Sequence, residues 1–368
     1  MDRRLLVVFA VIILGAAVLF LNLQEPPREE KIRIGAVLPL TTRFADQGQA
    51  SQQGILLAVE EINSRGGING RQVEVLFENS ECEAQKAATA MNKLVHTDGV
   101  KMVVGDICSS ATLAMAPIAE ENKVLLLNAG STASTIRHSG DYVFRFWFSG
   151  EEMGRMIAEK AFKSGITKMA VIYLNNDFGH SLEKNFSTRF EELGGTVVSK
   201  ERVDTESTDF RTEFIKAEER NPDAYLLALY HDGILLALRQ FREYSIDKEV
   251  FSHGGIALSA LASEGESGVL DGLLAPFAAE ESEEFGARFR EKFGQDPGVT
   301  ADAAYDAIMV LAKVMEEKGT EIEKIKQGLY EIENYPGVSG KITIDTFGET
   351  NRPLTLYKVE NGKMAPVE

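Results

Sequence analysis

Lys31-Ile-Arg-Ile-Gly-Ala-Val-Leu-Pro-Leu-Thr41 is the stretch whose reading decides the fold. Ile32 to Leu38 is a short apolar, β-rich run. Gln49 to Ser64 follows with helical spacing, and Ile55, Leu56, Ala58, Val59 and Ile62 fall on one stripe. Gly66, Gly67 and Gly70 break the chain, and Gln72 to Phe77 then alternates as a strand does. Strand, helix and strand in that order is the βαβ unit of a parallel sheet.

Outward from this unit the rhythm continues. Helix 83–97, strand 101–104, helix 110–122 and strand 124–128 complete a first series. A second series runs through helix 151–164, strand 168–174, helix 180–193, strand 196–203, helix 209–219, strand 223–229, helix 233–245 and strand 249–252. Helices near 281–292, 299–317 and 322–332 come next, and Lys341 to Glu360 reads as two strands around a turn at Thr346 to Thr350. The pattern predicts two doubly wound α/β lobes in tandem, in keeping with 368 residues. Open α/β sheets bind ligands beyond the carboxyl ends of their strands, and two such sheets facing each other make a cleft.

Composition narrows the function. The chain carries 39 Lys plus Arg against 56 Asp plus Glu, a net charge of −17. Such a surface repels phosphate backbones, so no nucleic-acid partner is expected. Two cysteines cannot build a zinc ribbon, and five scattered histidines without HExxH show no metal spacing. Neither a metal nor a cofactor is expected. Leu5 to Leu21 is apolar throughout apart from Gly15, follows Arg3 and Arg4, and precedes the polar segment Gln24 to Lys31. It reads as an export element, favoured as an uncleaved membrane anchor, with a cleaved signal as the alternative. No cysteine lies near it, which excludes lipoprotein anchoring. The rest of the chain then works outside the cytoplasm. There Cys82 and Cys108 could form a disulfide or remain two free thiols.

Catalytic motifs fail on inspection. Asp177-Phe178-Gly179 spells a kinase triplet without its partner motifs, and Ser181 with Lys184 matches a penicillin-binding pattern equally alone. There is no nucleophile elbow and no phosphate loop. His231 and Asp232 are adjacent, a spacing that rarely lets two side chains face each other. No catalytic residue is assigned, and binding is favoured over chemistry.

The opening stretch, Gly48, Gly54, Ala58-Val-Glu-Glu-Ile-Asn63 and Gly66-Gly-Ile-Asn-Gly-Arg71 together resemble the type I periplasmic binding proteins. The likeness is nearest to the branched-chain amino-acid-binding components of ABC transporters. Val104-Gly-Asp-Ile-Cys-Ser-Ser110, Gly130-Ser-Thr132, Phe144-Arg145 and Asn221-Pro-Asp223 extend the resemblance over residues 31–368. It implies two Rossmann-like lobes with parallel central sheets joined by three crossovers, near 148, 255 and 338. Lobe 1 would be 31–147 with 256–337, and lobe 2 would be 148–255 with 338–368. It also implies a Cys82–Cys108 disulfide.

The site residues come from the same resemblance. Ser109 would bind a ligand carboxylate at a helix start, where free N–H groups and the helix dipole suit an anion. Read from the residues alone, Ser109 or Ser110 could instead be the helix N-cap. Thr132 would contact the ligand, with Gly130 or Ser131 supplying a carbonyl to an ammonium. Phe178 and Tyr230 would line the pocket, with core packing as the alternative. Gln47 stands where leucine binders place an aromatic residue. Gly255 stands where amino-acid binders carry the acid that pairs the ammonium; Asp232 could substitute for it, with a solvent-exposed helix cap as the alternative, so an amine-free ligand such as an aromatic acid or amide stands beside the amino acid. The implied function is an extracytoplasmic solute receptor that takes an amino acid or related carboxylate to the membrane subunits of an ABC permease. A membrane-tethered sensor of the same fold and an exported hydrolase are the competing readings.

Overall fold

A computed structural model describes residues 31–254, 267–278 and 282–367. The export element in 1–30 and Gly255 lie outside them. The chain begins with β1 (Ile32–Leu38), α1 (Ala45–Ser64), β2 (Val73–Asn79), α2 (Ala84–Asn92), β3 (Met102–Gly105), α3 (Ser109–Asn122), β4 (Leu125–Asn128) and β5 (Val143–Arg145). These strands form one parallel sheet in the order β2-β1-β3-β4-β5. Every residue of β3 and β4 is buried, and both strands read as apolar runs because helices cover both faces of such a sheet. Along α1, Ile55, Ala58 and Ile62 are buried as their spacing requires, whereas Leu56 is 39% exposed and leaves the expected stripe.

The next elements are α4 (Gly150–Lys163), β6 (Lys168–Leu174), α5 (Asp177–Glu192), β7 (Thr196–Val203), α6 (Arg211–Glu218), β8 (Ala224–Ala228), α7 (His231–Glu243), β9 (Glu249–Ser252) and β10 (Leu274–Ala278). Helices α8 (Glu283–Phe293), α9 (Ala301–Lys318) and α10 (Ile322–Tyr330) return to the first lobe. There α9 packs so closely on α1 that a Cβ on Gly54 would stand 2.0 Å from the Ala301 carbonyl oxygen. Strands β11 (Tyr335–Gly337) and β12 (Gly340–Ile342) form a small antiparallel pair. Finally β13 (Leu354–Glu360) and β14 (Lys363–Pro366) complete a seven-stranded sheet, β14-β13-β10-β9-β8-β6-β7. Its core strands are parallel, and β13 and β14 run antiparallel at one edge.

Strand β10 corrects the expected boundary. It pairs with β9 through Leu274 and Phe251 and runs antiparallel to β13, so the chain leaves the second sheet after Ala278 and not near 255. The third passage, expected near 338, falls instead between β12 and β13. Its turn docks on the first sheet, with Arg145 N donating to Gly348 O (2.8 Å) and Thr350 N to Arg145 O (2.9 Å). Cys82 and Cys108 form a disulfide, Cα atoms 5.5 Å apart, that ties the approach to α2 to the start of α3. Closing a loop of this length contributes about 3 kcal/mol.

Candidate functional site

Between the two sheets lies a cavity of about 70 Å³ with walls from both lobes. Of the candidate ligand-binding residues read from the sequence, Gln47, Ser109, Gly130, Thr132, Phe178 and Tyr230 line it.

The first-lobe wall is built around the start of α3. Cys108 is the N-cap, and no side chain caps the helix. The first N–H groups of α3 therefore keep their donor capacity beside the positive end of the dipole. Ser109 Oγ accepts from Ala133 N at 3.1 Å, which leaves its O–H able to donate. Capping by Ser110 does not occur. Its hydroxyl donates across the cleft to Asp177 Oδ2 at 2.5 Å, and Ser110 is not part of the cavity wall. Gly130 approaches so near Ile107 that a Cβ there would stand 2.7 Å from the Ile107 Cβ.

Ser131 turns its side chain beneath the loop. It is wholly buried under the loop, with Oγ 2.8 Å from Thr112 Oγ1 and 2.9 Å from Asp106 O, and its N–H goes to Asn128 Oδ1. Its side chain shapes the loop, and Ser131 is not among the residues of the cavity wall. Asp106 belongs to the same buried layer. Burial pushes its carboxyl up to about 7, against hydrogen bonds from Ser80 and the Cys108 and Ile107 amides.

The sign of this linkage can be tested. The folded state holds a proton on Asp106 that the unfolded chain loses near pH 4. Its contribution to stability is full below pH 4 and fades as pH rises through about 7. Asp106→Asn removes the effect while its side-chain oxygen still accepts from Cys108 N, which is 2.8 Å from Asp106 Oδ1. The melting temperature of the variant relative to the parent is expected to rise from pH 4 to about pH 7 and to level off above it. A pH-independent difference would contradict it.

The second-lobe wall is aromatic. Tyr230 stacks on Phe178 with centroids 5.8 Å apart and meets the edge of Phe44, from the first lobe, at 4.8 Å. Phe178 in turn meets the ring of His253 at 4.8 Å. Asn176 Nδ2 donates to the Tyr230 hydroxyl (2.7 Å), and burial raises that phenol to about 12. His253 Nε2 lies 2.7 Å from Leu229 O, and burial lowers its imidazole to about 4, so the ring is neutral at physiological pH. The sequence reading did not assign Phe44, Trp147, His231, His253 or Thr300, all of which line the cavity.

Asp232 does not enter the cavity. Its Oδ2 lies 3.0 Å from Arg43 Nε, so it forms half of an ion pair across the lip. Arg43 also donates to Thr205 O (2.8 Å) and to Glu206 Oε2 (3.0 Å). Ser181 Oγ, from the lone Ser-x-x-Lys match, accepts from Ser134 N at 2.8 Å. These bonds bring the lobes together over the cavity.

Comparison with known proteins identifies the family and the fold. A family model described as "Periplasmic binding protein" matches residues 31–363. A leucine-, isoleucine-, valine-, threonine- and alanine-binding protein of Pseudomonas aeruginosa is 29% identical over 343 residues, 89% of this chain and 90% of the relative. The crystal structure of a leucine-binding protein, LivK, from Thermotoga maritima superposes with a TM-score of 0.83 at 28% identity, covering 92% of this chain and 98% of that one. A solute-binding protein of an ABC transporter from R. palustris, solved with 4-hydroxybenzoate, shares the fold at 23% identity with a TM-score of 0.83 over 92% and 96% of the two chains.

Proposed function

The chain belongs to the periplasmic binding protein family, and from that premise we propose that it is the extracytoplasmic solute receptor of an ABC transporter. It closes two lobes on a small carboxylate, either a branched-chain type of amino acid or an amine-free relative such as an aromatic acid, and presents the closed form to permease subunits in the membrane. It acts by binding and not by turnover. Residues 5–21 anchor it to the membrane or direct its export. No helix among the described residues is long and apolar enough to cross a membrane.

One observation carries this reading. The cavity sits between a helix start without a side-chain cap, bearing Ser109, and an aromatic wall on the opposite lobe. Each ligand pole then has a suitable surface: amides and a hydroxyl for the carboxylate, rings for the body. Closure follows because the ligand bridges both walls and so favours the shut state over the open one.

Thermal-shift screening tests the function. Leucine, isoleucine, valine, threonine, alanine, benzoate, hydroxybenzoates and small amides form the panel. A true ligand at 100 times its Kd is expected to add ~2.7 kcal/mol of stability. A panel without any shift overturns the proposal.

A further inference from the structure

Arg43 reaches across the mouth of the cavity. It lies in a turn of the first lobe, Thr42–Phe44, just before α1. Each of its three nitrogens has a partner on the second lobe. Nη1 donates to Thr205 O at 2.8 Å, Nη2 donates to Glu206 Oε2 at 3.0 Å, and Nε lies 3.0 Å from Asp232 Oδ2. These partners come from two separate places, the loop between β7 and α6 and the first turn of α7. A planar fork of donors fits such a set, and the point charge of a lysine does not.

The turn that carries Arg43 is itself anchored. Asn79 Oδ1 accepts from Leu40 N (2.9 Å) and Asn79 Nδ2 donates to Thr41 Oγ1 (2.7 Å), which fixes the base of the turn on the first lobe. Thr42 holds a φ of +70°, which a β-branched residue adopts only where its surroundings impose it. Phe44 follows, lines the cavity, and meets the Tyr230 ring edge-on at 4.8 Å. The turn therefore has its base on one lobe, its tip clamped to the other, and an aromatic ring in the cavity wall beside the clamp. An exposed ion pair alone contributes little. Here one guanidinium serves two carboxylates and a carbonyl together, which lifts the effect above that of a lone pair.

We propose that Arg43 sets how long the solute stays bound, as a positioning residue that holds Phe44 in the cavity wall and makes release depend on ionic strength. This inference rests on the proposed function, since it takes the cavity to be the solute site. The three bonds exist only when the lobes are together. They slow opening and leave the encounter of solute with the open form unaffected. Salt screens exposed charges and weakens the clamp, whereas a carboxylate enclosed in the cavity is screened much less.

Release kinetics of the full chain test it. The probe is the member of the thermal-shift panel that binds the parent most tightly. The readout is stopped-flow fluorescence of Trp147, the single tryptophan, which lines the cavity. Arg43→Gln is expected to raise the release rate about five- to tenfold and to leave the association rate unchanged. Release from the parent should quicken between about 20 mM and about 500 mM salt, and release from Arg43→Gln should not. Arg43→Lys restores the charge with one nitrogen in place of three and should recover part of the parent's slow release. Adding Asp232→Asn to Arg43→Gln should change the rate little further, because both substitutions break the same pair. Equal release from parent and Arg43→Gln, or a salt dependence that persists in that variant, overturns the assignment and leaves the solute-receptor function standing. If no member of the panel binds the parent, both fall.

Discussion

Glu349→Ala is expected to lower the unfolding free energy by about 3–5 kcal/mol. Glu349 sits in the third crossover and pairs with Arg145, a side chain only 1% exposed at the edge of the first sheet. It also takes Arg137 Nη1 at 2.8 Å. Removing the carboxylate leaves the Arg145 guanidinium buried without its counter-charge, which costs far more than an exposed pair would. Burial already lowers the pKa of Arg145, and Glu349 works against that. The effect reaches the cavity through two hydrogen bonds. Arg145 Nη1 donates to Ala133 O (2.9 Å), and Ala133 N donates to Ser109 Oγ (3.1 Å). Denaturant unfolding of the variant measures the loss. A change under 1 kcal/mol would show that the crossover is not held this way.

Much of this architecture is legible in the sequence, for identifiable reasons. Strands such as Leu125–Asn128 are covered on both faces and so read as unbroken apolar runs. Strand β10 is harder to see. It is short, it contains Pro276, and its pairing with β9 is confined to one residue, so local propensity argues against a strand. The site divides in the same way. Ser109, Gly130 and Thr132 lie just past strand ends that the βαβ rhythm locates. Ser131 differs from its neighbours only in which way its side chain turns, and that depends on Asn128, Thr112 and Asp106 beneath it.

The histidines show the limit most clearly. His231 and His253 have no spacing signature, yet β8 and β9 are neighbours in the sheet and their ends bring the two rings to one wall. Their place in the site follows from strand order, which single-residue motifs do not encode. Asp232 reverses the case. Its residues alone allow a place near the ligand or an exposed helix cap, and Arg43, remote in sequence, holds it half exposed at the lip. Sequence could point to that exchange only if the closed arrangement of the lobes were already known.

Ser109→Ala is the second large effect and bears on the account's main claim, that the carboxylate end of the solute is held at the start of α3. The substitution deletes a side-chain donor at that end and leaves the helix amides and Thr132 in place. It also removes the acceptor for Ala133 N, so the 130–133 loop loses a tie. Loss of a charge-assisted hydrogen bond costs roughly 1.5–3 kcal/mol, which is about a ten- to 150-fold fall in affinity. The decisive measurement is isothermal titration of parent and Ser109→Ala with the strongest carboxylate from the thermal screen, each protein first shown to be folded. The expected result is an affinity weaker by at least about tenfold. An unchanged affinity would place the carboxylate elsewhere and contradict the account.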